Sequence, residues 1–339
     1  MRILVTGSDG PGGVIATQLD TAGHDVTLLE RPRRAFFLDM QMLVVRSDLG
    51  NYRGTIRHIE AAEIFGVFDM IIVTCCAHEV DDLSLVLPRA VGENTTIVSL
   101  VTGLRHLDKL RVACPTATII DGMHDLVVLV GEDGEVVQTG ATDLIVVGAT
   151  KAEDVGRLAQ FKALFVNTNL LVKLSPNMDQ NRWERVARVV TVAGLAALMS
   201  GRMERISEVD AGATHIWQIA SEMSLVATAS GYPLDVVELA SFLERLPRVL
   251  PATVNKVLSD VEAGDLGEIG ALATEVQGDA RKANVPAPLL DVIVTAINVR
   301  AAQKPLVTIK EAVPLTPAPP PRDGWFSRRA YRRKKGAEA

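Results

Sequence analysis

Met1-Arg-Ile-Leu-Val-Thr-Gly-Ser-Asp-Gly-Pro-Gly-Gly-Val-Ile-Ala-Thr-Gln-Leu-Asp-Thr-Ala-Gly-His-Asp-Val-Thr-Leu-Leu-Glu-Arg31 is the stretch on which the reading of the whole chain depends. Ile3, Leu4 and Val5 form the short apolar run of a strand buried on both faces. Glycines follow at Gly7, Gly10, Gly12 and Gly13, and Val14 to Thr21 suits a helix that stops at Gly23. Val26 to Leu29 reads as a second buried strand, ending on Glu30 and Arg31. Strand, glycine turn, helix, strand and terminal charge within about thirty residues is the opening of a dinucleotide-binding domain. The tight turn brings backbone N–H groups to a pyrophosphate, which the positive end of the helix dipole also faces.

The spacing departs from Gly-x-Gly-x-x-Gly because position 9 is Asp9, whereas Gly7, Gly10 and Gly13 fit Gly-x-x-Gly-x-x-Gly. Asp9 weighs against nucleotide binding, since a carboxylate beside a pyrophosphate is repulsive. An α/β domain that kept the turn without the nucleotide is the competing reading.

At 339 residues the chain is long enough for two domains. With 48% hydrophobic but only 4% aromatic residues, the core must be built from aliphatic side chains. That composition suits parallel strands with helices packed on them. No signal-peptide pattern opens the chain, and the longest apolar stretch, 189–200, falls short of the roughly 20 residues needed to cross a bilayer. Cys75, Cys76 and Cys114 are an odd set, which predicts free thiols in a reducing compartment and a cytoplasmic protein with no metal centre. The net charge is -6; the segment from Arg322 onward carries seven basic residues against Asp323 and Glu338, or +5, leaving -11 on the rest. An acidic body argues against nucleic-acid binding.

Further strands are expected at 43–45, 68–74, 96–101 and 118–120, and a hairpin from 127–130 and 136–147 around Glu132-Asp-Gly134. The segment 55–64 fits either helix or strand. A helix over 152–164 and a strand over 169–174 complete an α/β sheet domain of residues 1–175 with an antiparallel edge. Ser175-Pro176 marks the change to a second, all-helical domain, 176–303, with helices expected over 182–199, 208–230, 234–245, 251–263, 269–282 and 288–301. In the first of these, Trp183, Val186, Val190, Ala193 and Ala197 share one face. The proline-rich run Thr316-Pro-Ala-Pro-Pro-Pro-Arg322 opens onto a basic tail, and 304–339 is expected to be disordered. Its Trp325, Phe326 and Tyr331, interleaved with Arg and Lys, suit an anionic surface or an acidic partner, though such a tail also simply aids solubility.

This order of a Rossmann domain, a Ser-Pro boundary and a helical domain resembles the ketopantoate reductase family, over nearly the whole chain to about residue 303. The opening through Gly23-His24-Asp25-Val26 to Glu30-Arg31, the segment Phe68-Asp-Met-Ile-Ile-Val-Thr-Cys-Cys-Ala, the segment Ile97-Val-Ser-Leu-Val-Thr-Gly-Leu104, and the run from Val257 through Gly267-Glu268-Ile269 to Pro288 carry the likeness. The resemblance implies an NADPH-dependent enzyme, with NAD as the other choice, that reduces the ketone of a small 2-oxo acid in a cleft between its domains. It places the cofactor against Gly7, Ser8, Asp9, Gly10, Gly12, Gly13, Glu30, Arg31, Thr74, Cys75, Cys76, Thr102 and Gly103.

Several positions that carry the family's chemistry are replaced. Cys76 and Thr102 stand for a lysine and an asparagine near the nicotinamide, Arg185 for the catalytic lysine, Val189 for an asparagine, and Lys256 for a serine; Glu268 keeps the acidic residue. Arginine is a poor proton donor at neutral pH but a good charge clamp. The implied catalytic set is therefore Arg185, Lys256 and Glu268, acting on a small anionic 2-oxo acid, carbonyl or imine other than ketopantoate. A non-redox cyclase or isomerase, or a non-catalytic nucleotide-binding scaffold, are the alternatives on the same fold, and a homodimer is expected.

Single residues have bland readings as well. Arg31 with Arg33 and Arg34 favours a 2′-phosphate and Glu30 a free 2′-hydroxyl. The Arg182, Arg185, Arg188 series is ordinarily solvated, with only Arg185 singled out by its aligned position. Cys75-Cys76 reads as small apolar filler. His78, His106 and His124 show no metal spacing. Tyr331 and Lys335 match a short-chain dehydrogenase spacing but have no helix to orient them.

Overall fold

The structure, a computed structural model, describes residues 1–30, 42–48, 50–131, 134–139, 143–149, 151, 154–199, 203–249, 261 and 267–303. Arg31, Arg33, Arg34, Lys256, most of the helix expected over 251–263 and the tail 304–339 lie outside these residues.

The opening folds as its sequence dictates: β1 (Arg2–Thr6), a glycine turn, α1 (Pro11–Thr21) and β2 (Asp25–Glu30). Pro11 occupies the first helical position, where its missing N–H costs nothing. The helix ends in a Schellman closure: Gly23, at φ +86°, donates to the Asp20 carbonyl, and His24 donates to that of Leu19. The chain continues through β3 (Met42–Ser47), β4 (Tyr52–Thr55), β5 (Arg57–Glu60), β6 (Met70–Val73), α2 (Val80–Val86), β7 (Thr96–Ser99), α3 (His106–Ala113) and β8 (Thr118–His124). Then come β9 (Val127–Val130), β10 (Val136–Thr139), β11 (Leu144–Gly148), α4 (Val155–Leu164) and β12 (Leu171–Leu174).

The large sheet has the order β12-β11-β8-β7-β6-β1-β2-β5, parallel except where β11 runs against β8. Its six strands from β5 to β8 follow the doubly wound 3-2-1-4-5-6 order, in which ligands bind beyond the C-terminal strand ends at the β1/β6 switch point. Successive side chains alternate between two buried faces. Ile3 and Val5 pack in one cluster with α1 and α4 residues such as Val14 and Phe161, while Leu4, Ile71 and Val73 pack in another with Val80 and Leu110 of α2 and α3.

A second, four-stranded sheet has the order β4-β3-β10-β9. The expected hairpin is present as β9 and β10, closed by Gly134 at φ +78°, but its second arm is shorter than 136–147. Residues 144–148 instead form β11 in the large sheet. Alternating apolar residues suit either sheet, so the pattern did not reveal that the chain changes sheets between Thr139 and Leu144. The ambiguous segment 55–64 supplies β5 and a short 3-10 turn, Ala61–Glu63.

From Met178 the described residues are helical or in short connections: α5 (Met178–Met199), α6 (Met203–Glu208), α7 (Asp210–Ala229), α8 (Val236–Val249), α9 (Gly267–Lys282) and α10 (Pro288–Gln303). The predicted face of α5, from Trp183 to Ala197, is buried against Ile216, Met223, Leu243, Val276 and Ile293 of the other helices. Among the described residues no helix is long and apolar enough to cross a membrane.

Candidate active site

The C-terminal ends of β1, β6, β7 and β8 lie along one edge of the large sheet, and each sends a functional side chain or turn into the same region. The turn after β1 is set by Gly7, whose φ of +74° belongs to the left-handed region that glycine enters freely. Its N–H donates to the Leu29 carbonyl at 2.9 Å. A Cβ on Gly12 would fall within 2.6 Å of the carbonyl oxygens of both Gly7 and Thr6. A Cβ on Gly10 would meet nothing within 4 Å, so the turn is tight behind and open in front. With the N-terminus of α1 beside it, this cradle fits a dinucleotide pyrophosphate.

Thr74 braces the turn from β6. Its N–H donates to the Thr6 hydroxyl at 3.0 Å and its own hydroxyl donates to the Thr6 carbonyl. Cys75 and Cys76, of intermediate exposure and not joined in a disulfide, follow in the loop, where Cys76 N–H donates to Glu79 at 2.9 Å.

Glu30 closes β2 with its side chain turned inward and only 2% exposed. Its carboxylate lies 3.4 Å from His58 Nδ1 on β5 and accepts a long hydrogen bond, 3.5 Å, from Ser8 N–H. Ser8, fully buried, thus joins the glycine turn to the ends of β2 and β5.

Arg185 is one of several links between helices and sheet. Its Nη1 donates to Asp125 just past β8 at 2.8 Å, and its Nε donates to the Thr102 hydroxyl past β7 at 3.2 Å. The guanidinium is held at two points, half-buried at the sheet edge, and Nη2 makes no hydrogen bond among the described residues. Beside it, desolvation first and the Arg185 charge second push His124 down to about 3, so this imidazole is neutral at pH 7.

One turn earlier on the same helix, Arg182 is buried, not solvated as its series suggested. It donates to Asp121 in the middle of β8 at 2.7 Å and to Asp179. Burial raises the Asp121 carboxyl from an ordinary 3.8 to about 6, against the opposing pull of Arg182. The expected strand stops at 120; the aspartate that continues it within the buried middle of β8 is the signal that could have pointed to such a partner. Asp125, the residue that fixes Arg185, carried no comparable signal.

The helix α9 docks on the loop after β7. Leu104 N–H donates to Glu275 at 3.0 Å and Arg105 pairs with Asp279. Burial raises the Glu275 carboxyl above its ordinary range, opposed by the Leu104 hydrogen bond. Glu268 lies in the first turn of α9, with its side chain outside the described set. Among the described residues no group of three His, Cys, Asp or Glu side chains could hold a metal ion.

Comparison with known proteins matches this architecture in two blocks. The family model for ketopantoate reductase PanE/ApbA covers residues 3–152, and the model for its C-terminal part covers residues 177–301. The oxidoreductase YkpB of Bacillus subtilis (strain 168) is 24% identical over 304 residues, spanning 90% of this chain and all of the relative. Among solved structures, a ternary complex of D-mandelate dehydrogenase with NADH and anilino(oxo)acetate superposes with a TM-score of 0.82 at 16% identity, covering 90% of this chain and 99% of that one. A dimeric ketopantoate reductase from Staphylococcus aureus gives a TM-score of 0.75 at 16% identity, covering 90% and 100%.

Proposed function

The chain belongs to the ketopantoate reductase PanE/ApbA family, and on that premise we propose that this NAD(P)-dependent oxidoreductase reduces a small anionic 2-oxo acid, carbonyl or imine other than ketopantoate. The observation that carries the proposal is the Arg185 guanidinium, held by Thr102 and Asp125 on the sheet edge that also bears the glycine turn. When bound, the nicotinamide supplies the hydride.

The protein's residues have the remaining tasks. Gly7, Gly10, Gly12 and Gly13 with the N-terminus of α1 hold the pyrophosphate; Asp9, Thr74, Cys75, Cys76, Thr102 and Gly103 line the cofactor's path along the edge, and the buried Ser8 supports the turn from behind. Arg185, fixed on one side, offers Nη2 to the substrate oxygen that gains charge, or to its carboxylate. An arginine guanidinium is a poor proton donor at neutral pH and serves as a charge clamp. His124 is neutral and Asp125 is engaged with Arg185, so neither is a ready acid. The proton is assigned to Lys256 or Glu268 from the helical part, where α9 is docked against the same loop.

The domain division 1–175 and 176–303 follows the change from sheet to helices. We assign NADP before NAD: Arg31, Arg33 and Arg34 suit a 2′-phosphate, and the inward Glu30 is poorly exposed for a ribose hydroxyl. The dimeric relative supports a homodimer as the assembly.

The test is consumption of NADPH and NADH by the full chain with a panel of 2-oxo acids, carbonyls and imines. Turnover with one of them, NADPH preferred, is the expected result. Arg185→Ala should lower kcat by roughly 10²–10³, the cost of losing one preorganised oxyanion contact. No consumption with any compound, or a wild-type rate in Arg185→Ala, would overturn the assignment.

A further inference from the structure

We propose that Glu275 of α9 is a positioning residue for the nicotinamide end of the coenzyme: through the Leu104 N–H it fixes the loop after β7, and with it the Thr102–Gly103 backbone beside which the nicotinamide lies. The inference rests on the coenzyme reading above and adds to it a residue that acts through the loop.

The loop needs an outside anchor. β7 ends at Ser99 and α3 starts at His106, so the residues between them have neither a sheet ladder nor a helix to hold them. Leu100 N–H still donates to the Val73 carbonyl at 2.8 Å. Beyond it, among the described residues, Leu104 N–H is the one backbone donor of segment 101–104 with a hydrogen-bond partner, and that partner is Glu275 Oε2 at 3.0 Å. A backbone N–H donating to a carboxylate makes one of the stronger protein hydrogen bonds. The residues just before Leu104 bear on the chemistry. The Thr102 hydroxyl accepts from Arg185 Nε at 3.2 Å. Gly103 is packed so closely that a Cβ there would lie 3.2 Å from both Ala77 Cβ and His106 Nδ1. A displacement at Leu104 is therefore passed on to Thr102 and Gly103.

The sequence of α9 suits this contact. Ile269, Leu272, Ala273, Val276 and Ala280 are buried in the core of the helical part. Glu275 and Asp279, four residues apart, share another side of the helix, and both meet the loop, Asp279 by pairing with Arg105. Arg105 reaches Asp279 through a long, half-exposed side chain, which tolerates movement of the backbone behind it; Glu275 holds the backbone itself. The same helix packs on the 3-10 turn Ala77–Glu79 that follows Cys76. α9 is thus seated against the chain leaving β6 and the chain leaving β7, the two segments that flank the nicotinamide in the reading above.

Two variants separate reach from charge. Glu275→Gln keeps an acceptor in place and removes the charge, whereas Glu275→Asp keeps the charge and draws the acceptor back by one methylene. Both leave a polar group at a half-buried position. Calorimetry on the full-length protein measures the dissociation constants of NADPH and NADH, and of their nicotinamide-free counterparts 2′-phospho-ADP-ribose and ADP-ribose. In Glu275→Asp the preferred coenzyme should bind at least fivefold more weakly, while its nicotinamide-free counterpart binds as in wild type. Glu275→Gln should lie within twofold of wild type for both. Amide hydrogen exchange over residues 101–105 of the coenzyme-free protein should quicken in Glu275→Asp and not in Glu275→Gln. Unchanged coenzyme affinity or unchanged exchange in Glu275→Asp would overturn the proposal. So would a loss in Glu275→Gln equal to that in Glu275→Asp, or an equal loss for the nicotinamide-free compound, which marks a general disturbance of the fold. Wild-type protein that binds none of the four nucleotides would instead remove the coenzyme reading beneath the proposal, so the two failures are distinct.

Discussion

Replacing Asp121 by asparagine should stabilise the protein above neutral pH, although it removes an ion pair. Asp121 is 1% exposed and bonded to Arg182. Burial nevertheless outweighs that attraction and lifts the carboxyl from 3.8 to about 6. A folded-state value above the unfolded one means that the native protein binds this proton more tightly than the unfolded chain does. The contribution to stability is thus fully present below about pH 4 and is lost as pH rises through 6. The interval from 3.8 to about 6 corresponds to about 3 kcal/mol. Asparagine has the shape of the protonated acid and can still accept from Arg182 through its amide oxygen. Wild type and Asp121→Asn should therefore unfold at similar urea concentrations at pH 4, and the variant should be the more stable by up to about 3 kcal/mol at pH 8. The assay is urea unfolding of both proteins at half-unit steps from pH 4 to pH 8. A variant less stable by 1 kcal/mol or more at pH 8, with the gap closing on acidification, would refute the reasoning. It would show that the Arg182 attraction, not desolvation, governs the site.

Two other outcomes test the sheet edge. Gly12→Ala forces a Cβ onto the Gly7 and Thr6 carbonyls and should weaken NADPH binding at least tenfold by fluorescence titration, whereas Gly10→Ala, with open space around it, should leave the melting temperature within a few degrees of wild type. Asp125→Asn breaks a half-exposed pair that contributes at most about 1 kcal/mol to stability, so melting should change little. Turnover should nonetheless fall about tenfold, because one of the two restraints on Arg185 is weakened.

How much of this was legible in the sequence depended on how local the information was. The β1-turn-α1-β2 unit was readable because its strand pattern, glycine spacing and helix stop all lie within thirty residues, and Gly7 and Gly23 adopt the positive φ that those roles require. The apolar face of α5 was readable for the same reason. The small sheet was not, since β3 finds β10 about ninety residues away and no local pattern specifies that pairing. The site divides along the same line. The family likeness singled out Arg185, but the residues that orient it come from two strand ends 60 and 83 positions away. Arg182, three residues before it in the same charged stripe, points into the protein toward Asp121. Spacing along a helix ranked the two alike; only the tertiary partner separates them.

On the expectation that Arg185 aligns with the family's lysine, its tertiary partners account for the exchange. A lysine's ammonium is a compact charge that needs no fixed plane, whereas a guanidinium must be oriented before its remaining N–H groups point anywhere useful. Asp125 and Thr102 supply that orientation from adjacent strand ends, one to a terminal nitrogen and one to Nε. The same arrangement shifts the proton problem elsewhere. The Arg185 charge helps hold His124 neutral, so the neighbouring imidazole is not a reserve of protons near pH 7. An activity profile governed by an acid titrating between pH 6 and 7 would therefore have to draw on a group other than His124. On that alignment the exchange of lysine for arginine is a coupled change: it needs Asp125 for geometry, and it needs a proton donor from outside the Arg185–His124 pair.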